Sequence, residues 1–232
     1  MTPPRKRRHL RRRYARVLGD HATFRQAVQI GGLPWASMVR HKIAAQAEAL
    51  DRIGQPSERL RRLLTAVRSG DPDNREAQAA QAYWPLLMGR DFRRDRGADG
   101  VNAMLNYGYA VLRAATARAI VSAGLHPSLS VHHRSGGDAL ALADDLMEPF
   151  RPTVDLIVHR LVAEGLTCVE NAREDLVSCL SADFPTRNGA TPLSQVLVRL
   201  AQSLARSFLD RKLKLDFPSR PLPDEMGEPE HA

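Results

Sequence analysis

Apolar residues recur at helical spacing in one segment after another of this chain, and this periodicity constrains the fold more than any other feature. In the first segment Val39, Ile43, Ala47 and Leu50 would share one face of a helix. The same spacing predicts helices over residues 35–53, 57–70, 71–88, 101–123, 140–163 and 191–212. Only 5% of the residues are aromatic, against 43% hydrophobic, and this composition favours helices over a β-sandwich. We therefore predict an all-α fold.

Proline residues modify two of these predicted helices. Pro149 and Pro152 predict a kink in the helix over 140–163, or a later start for it, because proline removes a backbone donor. Thr191 and Pro192 are predicted to be the N-cap and first residue of the last helix.

The 232 residues are enough for one domain with tails. We predict a basic arm and linker over 1–33, a helical domain over 34–215 and a tail over 216–232. Eight Lys and Arg and no acid lie within 1–16, so the rest of the chain is formally neutral. The arm and the Pro- and Glu-rich tail are expected to be disordered. The arm is either a non-specific phosphate-binding segment or, as we favour, a solvated tail.

The cysteine pattern and the hydropathy of the chain indicate the cellular compartment of the protein. Cys168 and Cys179 are eleven residues apart and form no CxxC pair, which fits a reducing compartment better than a zinc site or a disulfide framework. No apolar run approaches the roughly 18 residues that span a bilayer, and the N-terminus lacks the apolar core of a signal peptide. We therefore expect a soluble, cytoplasmic protein without a membrane partner.

Imidazoles, glycines and carboxylates are concentrated between residues 132 and 151. On a helix Asp145 and Glu148, or Asp144 and Glu148, would project to the same side. The glycines at 136–137 would let the chain bring His133 over that side. Such a set suits Mg²⁺ or Mn²⁺. The alternative, which this stretch alone favours, is a solvated acidic face at a helix start.

Glu76 has a structural explanation of its own. Asp73 and Glu76 have the spacing of a capping box at the start of the third helix. On this local pattern, capping is the favoured role of Glu76.

Arginines near the charged loop over 89–100 are candidates for contacts with phosphates. Arg93 and Arg94 lie in that loop, and Arg113 lies on the polar face of the following helix with Asn102, Asn106 and Tyr109. The loop also holds three aspartates, so a solvated loop is an equal alternative.

Three segments together resemble the CRISPR-associated integrase of adaptation modules, the Cas-one family, and most of all its members from type II systems. The segments are residues 71–84 (DPDNREAQAAQAYW), 101–110 (VNAMLNYGYA) and 143–152 (ADDLMEPFRP). They follow the order of the family, and the resemblance covers roughly residues 34–210.

The resemblance implies a helical catalytic domain whose metal ligands fall on Glu76, His133 and Glu148, with Asp145 near enough to be an accessory ligand. It changes our preference for Glu76 from capping to metal binding. The implied activity is that of a DNA endonuclease and integrase, which joins the 3′-hydroxyl of a captured fragment to a phosphodiester of the CRISPR repeat by transesterification. The implied cofactor is Mg²⁺ or Mn²⁺, and Arg93, Arg94 and Arg113 are the candidates for holding double-stranded DNA.

The sequence departs from the family in two places. Members of the family carry an N-terminal β-rich domain that builds the homodimer, whereas about 33 residues precede the helices here. A fragment, a misassigned start and a degenerate gene would each explain this, and we doubt that this chain forms the dimer or binds the small Cas-two partner protein. The alternative function is then a truncated, non-catalytic DNA-binding fragment. The loop over 93–100 also lacks the paired prolines expected before Asn102.

Overall fold

The computed structural model describes residues 33–128, 130–131, 138–210 and 213–224. Its helices are α1 (Leu33–Arg52), α2 (Glu58–Thr65), α3 (Arg75–Met88), α4 (Val101–Ser122), α5 (Ala141–Met147), α6 (Arg151–Ala163), α7 (Val169–Ser178) and α8 (Leu193–Asp210). Two 3₁₀ turns lie at Glu148–Phe150 and Cys179–Ser181, and one hairpin is formed by β1 (Asp183–Thr186) and β2 (Gly189–Pro192). The all-α prediction is confirmed, while the predicted basic arm lies almost entirely outside the described residues.

Helix α4 is the central element of the described part, because it packs against α5, α6, α7 and α8. Its buried face includes Met104, Leu105, Leu112 and Ile120. Gly108 allows the closest approach, since a Cβ there would collide with Val154 of α6. The close α4–α6 contact brings the polar residues of α4 next to the start of α6.

The predicted interruption by proline is present and sets the position of Glu148. Helix α5 ends at Met147, the 3₁₀ turn Glu148–Phe150 follows, and α6 begins at Arg151. The turn packs against α1, and Glu148 is consequently buried although it is acidic.

The prediction for the start of the last helix is wrong by two residues. Thr191 and Pro192 belong to β2, which pairs antiparallel with β1 and places Thr191 opposite Phe184. Phe184 and Thr191 are both buried, and the backbone of Leu193 donates to Ala182 O. Burial of the hairpin against α8 therefore prevails over the local capping signal.

The folded part extends beyond the predicted boundary at residue 215. Leu222 is fully buried, the backbone of Ser219 donates to Pro185 O at 2.8 Å, and that of Asp224 donates to Asp183 O at 3.3 Å. Residues 216–224 thus pack on the hairpin, contrary to the disorder predicted from residue 216 onward. The remainder of the tail is outside the described residues.

Among the described helices, none combines the length and the apolar character needed to cross a membrane.

Candidate active site

Two carboxylates that are far apart in the chain meet at one lysine. The Lys42 ammonium lies 2.5 Å from Glu76 Oε1 and 2.6 Å from Glu148 Oε2. The three residues come from α1, the first turn of α3 and the 3₁₀ turn. Their side chains are 13%, 25% and 9% exposed for Lys42, Glu76 and Glu148. The structure therefore brings together two of the three predicted metal ligands around a positive charge.

The charges of Lys42, Glu76 and Glu148 stabilise one another. Burial alone would lower the pKa of Lys42, but the charges of Glu148 and Glu76 outweigh it and raise that pKa above its ordinary value. Arg151 Nε lies 2.8 Å from the second oxygen of Glu148, so both oxygens of this carboxylate face cations. The arrangement shows that this position attracts positive charge.

Asp71 fixes the direction in which α3 begins. Its carboxylate accepts from the backbone N–H groups of Arg75 at 2.8 Å and Glu76 at 3.0 Å. The N-cap is Asn74, whose side chain accepts from the Ala77 N–H. The capping box predicted for Asp73 and Glu76 is therefore wrong, because other side chains occupy the amides at this helix end. The Glu76 carboxylate is directed to Lys42 instead.

We expect Asp71→Ala to lower the free energy of unfolding by about 2 kcal/mol. The loss combines two unsatisfied amides with a φ of 50° at residue 71, a conformation that alanine adopts poorly. Chemical denaturation of the variant and the wild type measures this difference. Asp73→Ala is the matched control, since Asp73 pairs with the exposed Arg68 and should change stability far less than Asp71→Ala. Equal losses in the two variants would contradict this role of Asp71.

Arg151 also lies beside a pair of polar residues next to the carboxylates, Tyr109 and Asp155. The Arg151 guanidinium lies 4.6 Å from the centre of the Tyr109 ring, and the Tyr109 hydroxyl donates to the buried carboxylate of Asp155. Desolvation raises the pKa of Asp155 to about 7, although the hydrogen bond from Tyr109 opposes the change. Arg151 thus contacts both Glu148 and the ring of Tyr109, and the hydroxyl of Tyr109 is bonded to Asp155.

The two candidates for an accessory ligand have other partners. Asp145 is fully buried and accepts from the Val131 N–H at 2.6 Å and from the Ser130 hydroxyl at 2.9 Å. Asp144 receives two hydrogen bonds of 2.7 Å from Arg113. Asp145 therefore anchors the chain immediately before residues 132–137.

The third predicted ligand, His133, lies outside the described residues. Among residues 33–128, 130–131, 138–210 and 213–224, no group of three or more His, Cys, Asp and Glu side chains could hold a metal ion. The assignment of His133 as a ligand remains a prediction. Glu76 and Glu148 are hard oxygen donors that already face a shared cation, the Lys42 ammonium. Such a pair nonetheless fits the requirements of Mg²⁺ or Mn²⁺.

The three arginines predicted to contact DNA differ in their surroundings. Arg113 also lies 2.7 Å from Asp138, in addition to its contacts with Asp144. Arg94 donates to Asn102 at 2.8 Å and to Asn106 at 2.6 Å, and so fixes the loop over 89–100. Arg93 is exposed, and its guanidinium donates to two carbonyls of the loop. Their contacts with DNA remain predictions.

Sequence reasoning missed Lys42, Asp71 and the role of Arg151. Lys42 carried a signal, because Trp35, Met38 and Ala49 lie at helical spacing from it and place it beside the apolar face of the predicted helix. The partners of Asp71 are local, the amides of Arg75 and Glu76, but Asp71 lies before the N-cap Asn74 and so outside the capping-box pattern. Arg151 pairs with Glu148 three residues before it, whereas its contact with the Tyr109 ring is set by the tertiary structure.

A groove of about 720 Å³ is separate from the carboxylates. It lies between α1, the hairpin, α8 and the segment over 213–219, and its cationic side chains are Arg187, Arg199, Arg206 and Lys214. Asp210 and Asp216 line the same groove. Neither Lys42 nor the two glutamates line it.

The helical fold is similar to that of known structures. A casposase bound to integration product has a similar structure, with a TM-score of 0.74 over 92% of this chain and 70% of that one, at 24% identity. A Cas6-RT-Cas1–Cas2 complex contains a chain with a TM-score of 0.68 that covers 86% of this chain and 26% of that one, at 18% identity.

Sequence comparison gives the family. The family described as CRISPR associated protein Cas1 matches residues 10–180, so this chain belongs to the Cas1 family. The CRISPR-associated endonuclease Cas1 of Neisseria meningitidis serogroup C is 48% identical over 133 residues, which cover 56% of this chain and 43% of that protein. The chain spans about half the length of the curated relatives it matches.

Proposed function

We propose that this chain provides the catalytic site of a metal-dependent DNA integrase and endonuclease of CRISPR adaptation. The reaction is insertion of new spacer DNA into the repeat array by transesterification. The single observation that carries the proposal is the convergence of Glu76 and Glu148 on one cation position. Membership of a family whose relatives are named CRISPR-associated endonucleases supports it.

The residues of the chain have distinct roles in this proposal. Glu76 and Glu148 provide oxygen ligands, and His133 provides a nitrogen ligand for Mg²⁺ or Mn²⁺. When bound, the ion would withdraw charge from the attacked phosphate and lower the pKa of the attacking 3′-hydroxyl. Arg151 holds the second oxygen of Glu148 and thereby fixes the direction of that ligand. Asp71 holds the two amides at the start of α3 and so fixes Glu76.

The proposed partners are double-stranded DNA and a small Cas2 protein. DNA is supported by the structural likeness to a casposase bound to integration product, and Cas2 by the likeness to a Cas1-containing complex that includes it. Arg93, Arg94 and Arg113 are proposed to hold the DNA backbone at the edge of the site, Arg93 being the most exposed of the three. The chain matches about half the length of its curated relatives, so both partners are part of the proposal.

We expect His133→Ala to reduce strand transfer of a short duplex into repeat DNA at least about a hundredfold in the presence of Mn²⁺. The reason is that loss of one of three protein ligands leaves the ion weakly held and misplaced. Product formation on a labelled repeat measures the effect. His159→Ala is the control, because His159 lies in the C-terminal half of α6, well along the helix from Glu148.

Equal activity of the wild type and His133→Ala would remove His133 from the proposed site. The alternative function has a separate signature. DNA binding that is lost on deletion of residues 1–16 and is indifferent to metal, with no strand transfer, would favour a non-catalytic DNA-binding fragment.

A further inference from the structure

Lys42 occupies the space between two acidic side chains that belong to separate parts of the chain. Its ammonium is within hydrogen-bond distance of one oxygen of Glu76 and one of Glu148. Helix α1 carries it, and its neighbours Ile43 and Ala45 are fully buried. A charged side chain in this position is enclosed by the fold and has a defined direction.

Two carboxylates this close together need a positive charge between them. Like charges repel strongly where water is largely excluded, and a shared cation converts that repulsion into attraction. Lysine suits the task because its ammonium is a compact charge with three donors that can serve several acceptors. Arg151 does not replace it, since Arg151 faces the other oxygen of Glu148.

We propose that Lys42 is a positioning residue that takes the place of the divalent ion between Glu76 and Glu148 when the ion is absent, and that ammonium and ion compete for these carboxylates. This inference rests on the proposed function in one respect, namely that the same two carboxylates bind the ion. Lys42 keeps the ligands together in the metal-free protein, and the ion must displace its ammonium from at least one of them.

Competition has an unusual consequence for a variant without the ammonium. Lys42→Met removes the charge and keeps much of the apolar stem. The metal-free variant should be less stable than the wild type, because the carboxylates lose their shared partner. It should also bind the ion more tightly, because no ammonium has to be displaced. A lysine that merely supports the fold would, when removed, weaken ion binding or leave it unchanged.

The experiment is a Mn²⁺ titration of the full chain followed by thermal unfolding, in which a bound ion raises the midpoint. We expect Lys42→Met to reach half of its Mn²⁺-induced shift at a concentration at least about tenfold lower than the wild type. The matched control is Lys214→Met, which removes the same charge from an exposed residue in the separate groove and should titrate like the wild type. Unchanged or weaker binding by Lys42→Met would overturn the inference.

A measurement on the wild type covers the case in which Lys42→Met does not fold. Acetylation of lysines by acetic anhydride, read by mass spectrometry, should become faster at Lys42 when Mn²⁺ is added and stay constant at Lys214. A Lys42 rate that is constant or falls would overturn the proposal. If Mn²⁺ shifts neither the wild type nor the variant, the metal site itself fails; if it shifts both equally, competition alone fails.

Discussion

Glu148→Gln should reduce Mn²⁺-dependent strand transfer at least about a hundredfold. The amide keeps the shape of the side chain but loses the charge that would bind the ion. It also loses the ion pairs with Lys42 at 2.6 Å and Arg151 at 2.8 Å. Rates of product formation at saturating DNA measure the loss.

Stability separates the chemical effect of this variant from unfolding. Glu148→Gln leaves Lys42 with one carboxylate and Arg151 with none from this residue, so the midpoint of unfolding should fall, but the melt should remain cooperative. Glu164→Gln is the matched control, because Glu164 is exposed just beyond the end of α6 and should retain full activity. Activity of Glu148→Gln within about tenfold of the wild type would exclude Glu148 as a metal ligand.

Asp155→Asn should change how stability depends on pH. The pKa of Asp155 is raised from its ordinary value to about 7 in the folded protein, so the folded state retains a proton that the unfolded chain has released. The stabilising contribution of this proton is fully present below about pH 4 and is lost as the pH rises to about 7. The wild type should therefore lose stability steadily across this window, by a few kcal/mol in total from this group.

The variant mimics the protonated acid at every pH. We therefore expect the difference in unfolding free energy between Asp155→Asn and the wild type to move in favour of the variant as the pH rises from 4 to 7. Denaturant melts at pH 5, 6, 7 and 8 give this difference, and other titrating groups cancel in it. Asp99→Asn, a change at an exposed position, should give a difference that is flat with pH. A flat difference for Asp155→Asn would contradict the burial of a neutral carboxyl group beside Tyr109.

Helices were predictable here because periodic apolar residues report directly on a buried face. The four residues of the first predicted face are all buried in α1, namely Val39, Ile43, Ala47 and Leu50. The break between α5 and α6 followed from the prolines. The hairpin over 183–192 was not predictable in the same way. Its strands have four residues each and contain Pro185 and Pro192, so neither period nor propensity marks them, and only burial of Phe184 selects the pairing.

The site was predictable only in part, for a related reason. Local spacing assigned Glu76 to a capping box, and the structure shows that Asp71 and Asn74 take the amides instead. Glu76 and Glu148 were joined by resemblance to a family, because no local pattern reports a contact across 72 residues. Lys42 was missed since a lysine within a helix is ordinarily solvated, and its partners lie 34 and 106 residues away.

The most direct test of the central claim is a crystal structure of the full chain with Mn²⁺, located by its anomalous scattering. We predict one ion between Glu76 and Glu148, coordinated by both carboxylates and by the His133 imidazole, with the Lys42 ammonium withdrawn from at least one of the two glutamates. An ion bound elsewhere, or Lys42 still bridging both carboxylates at saturating Mn²⁺, would contradict it.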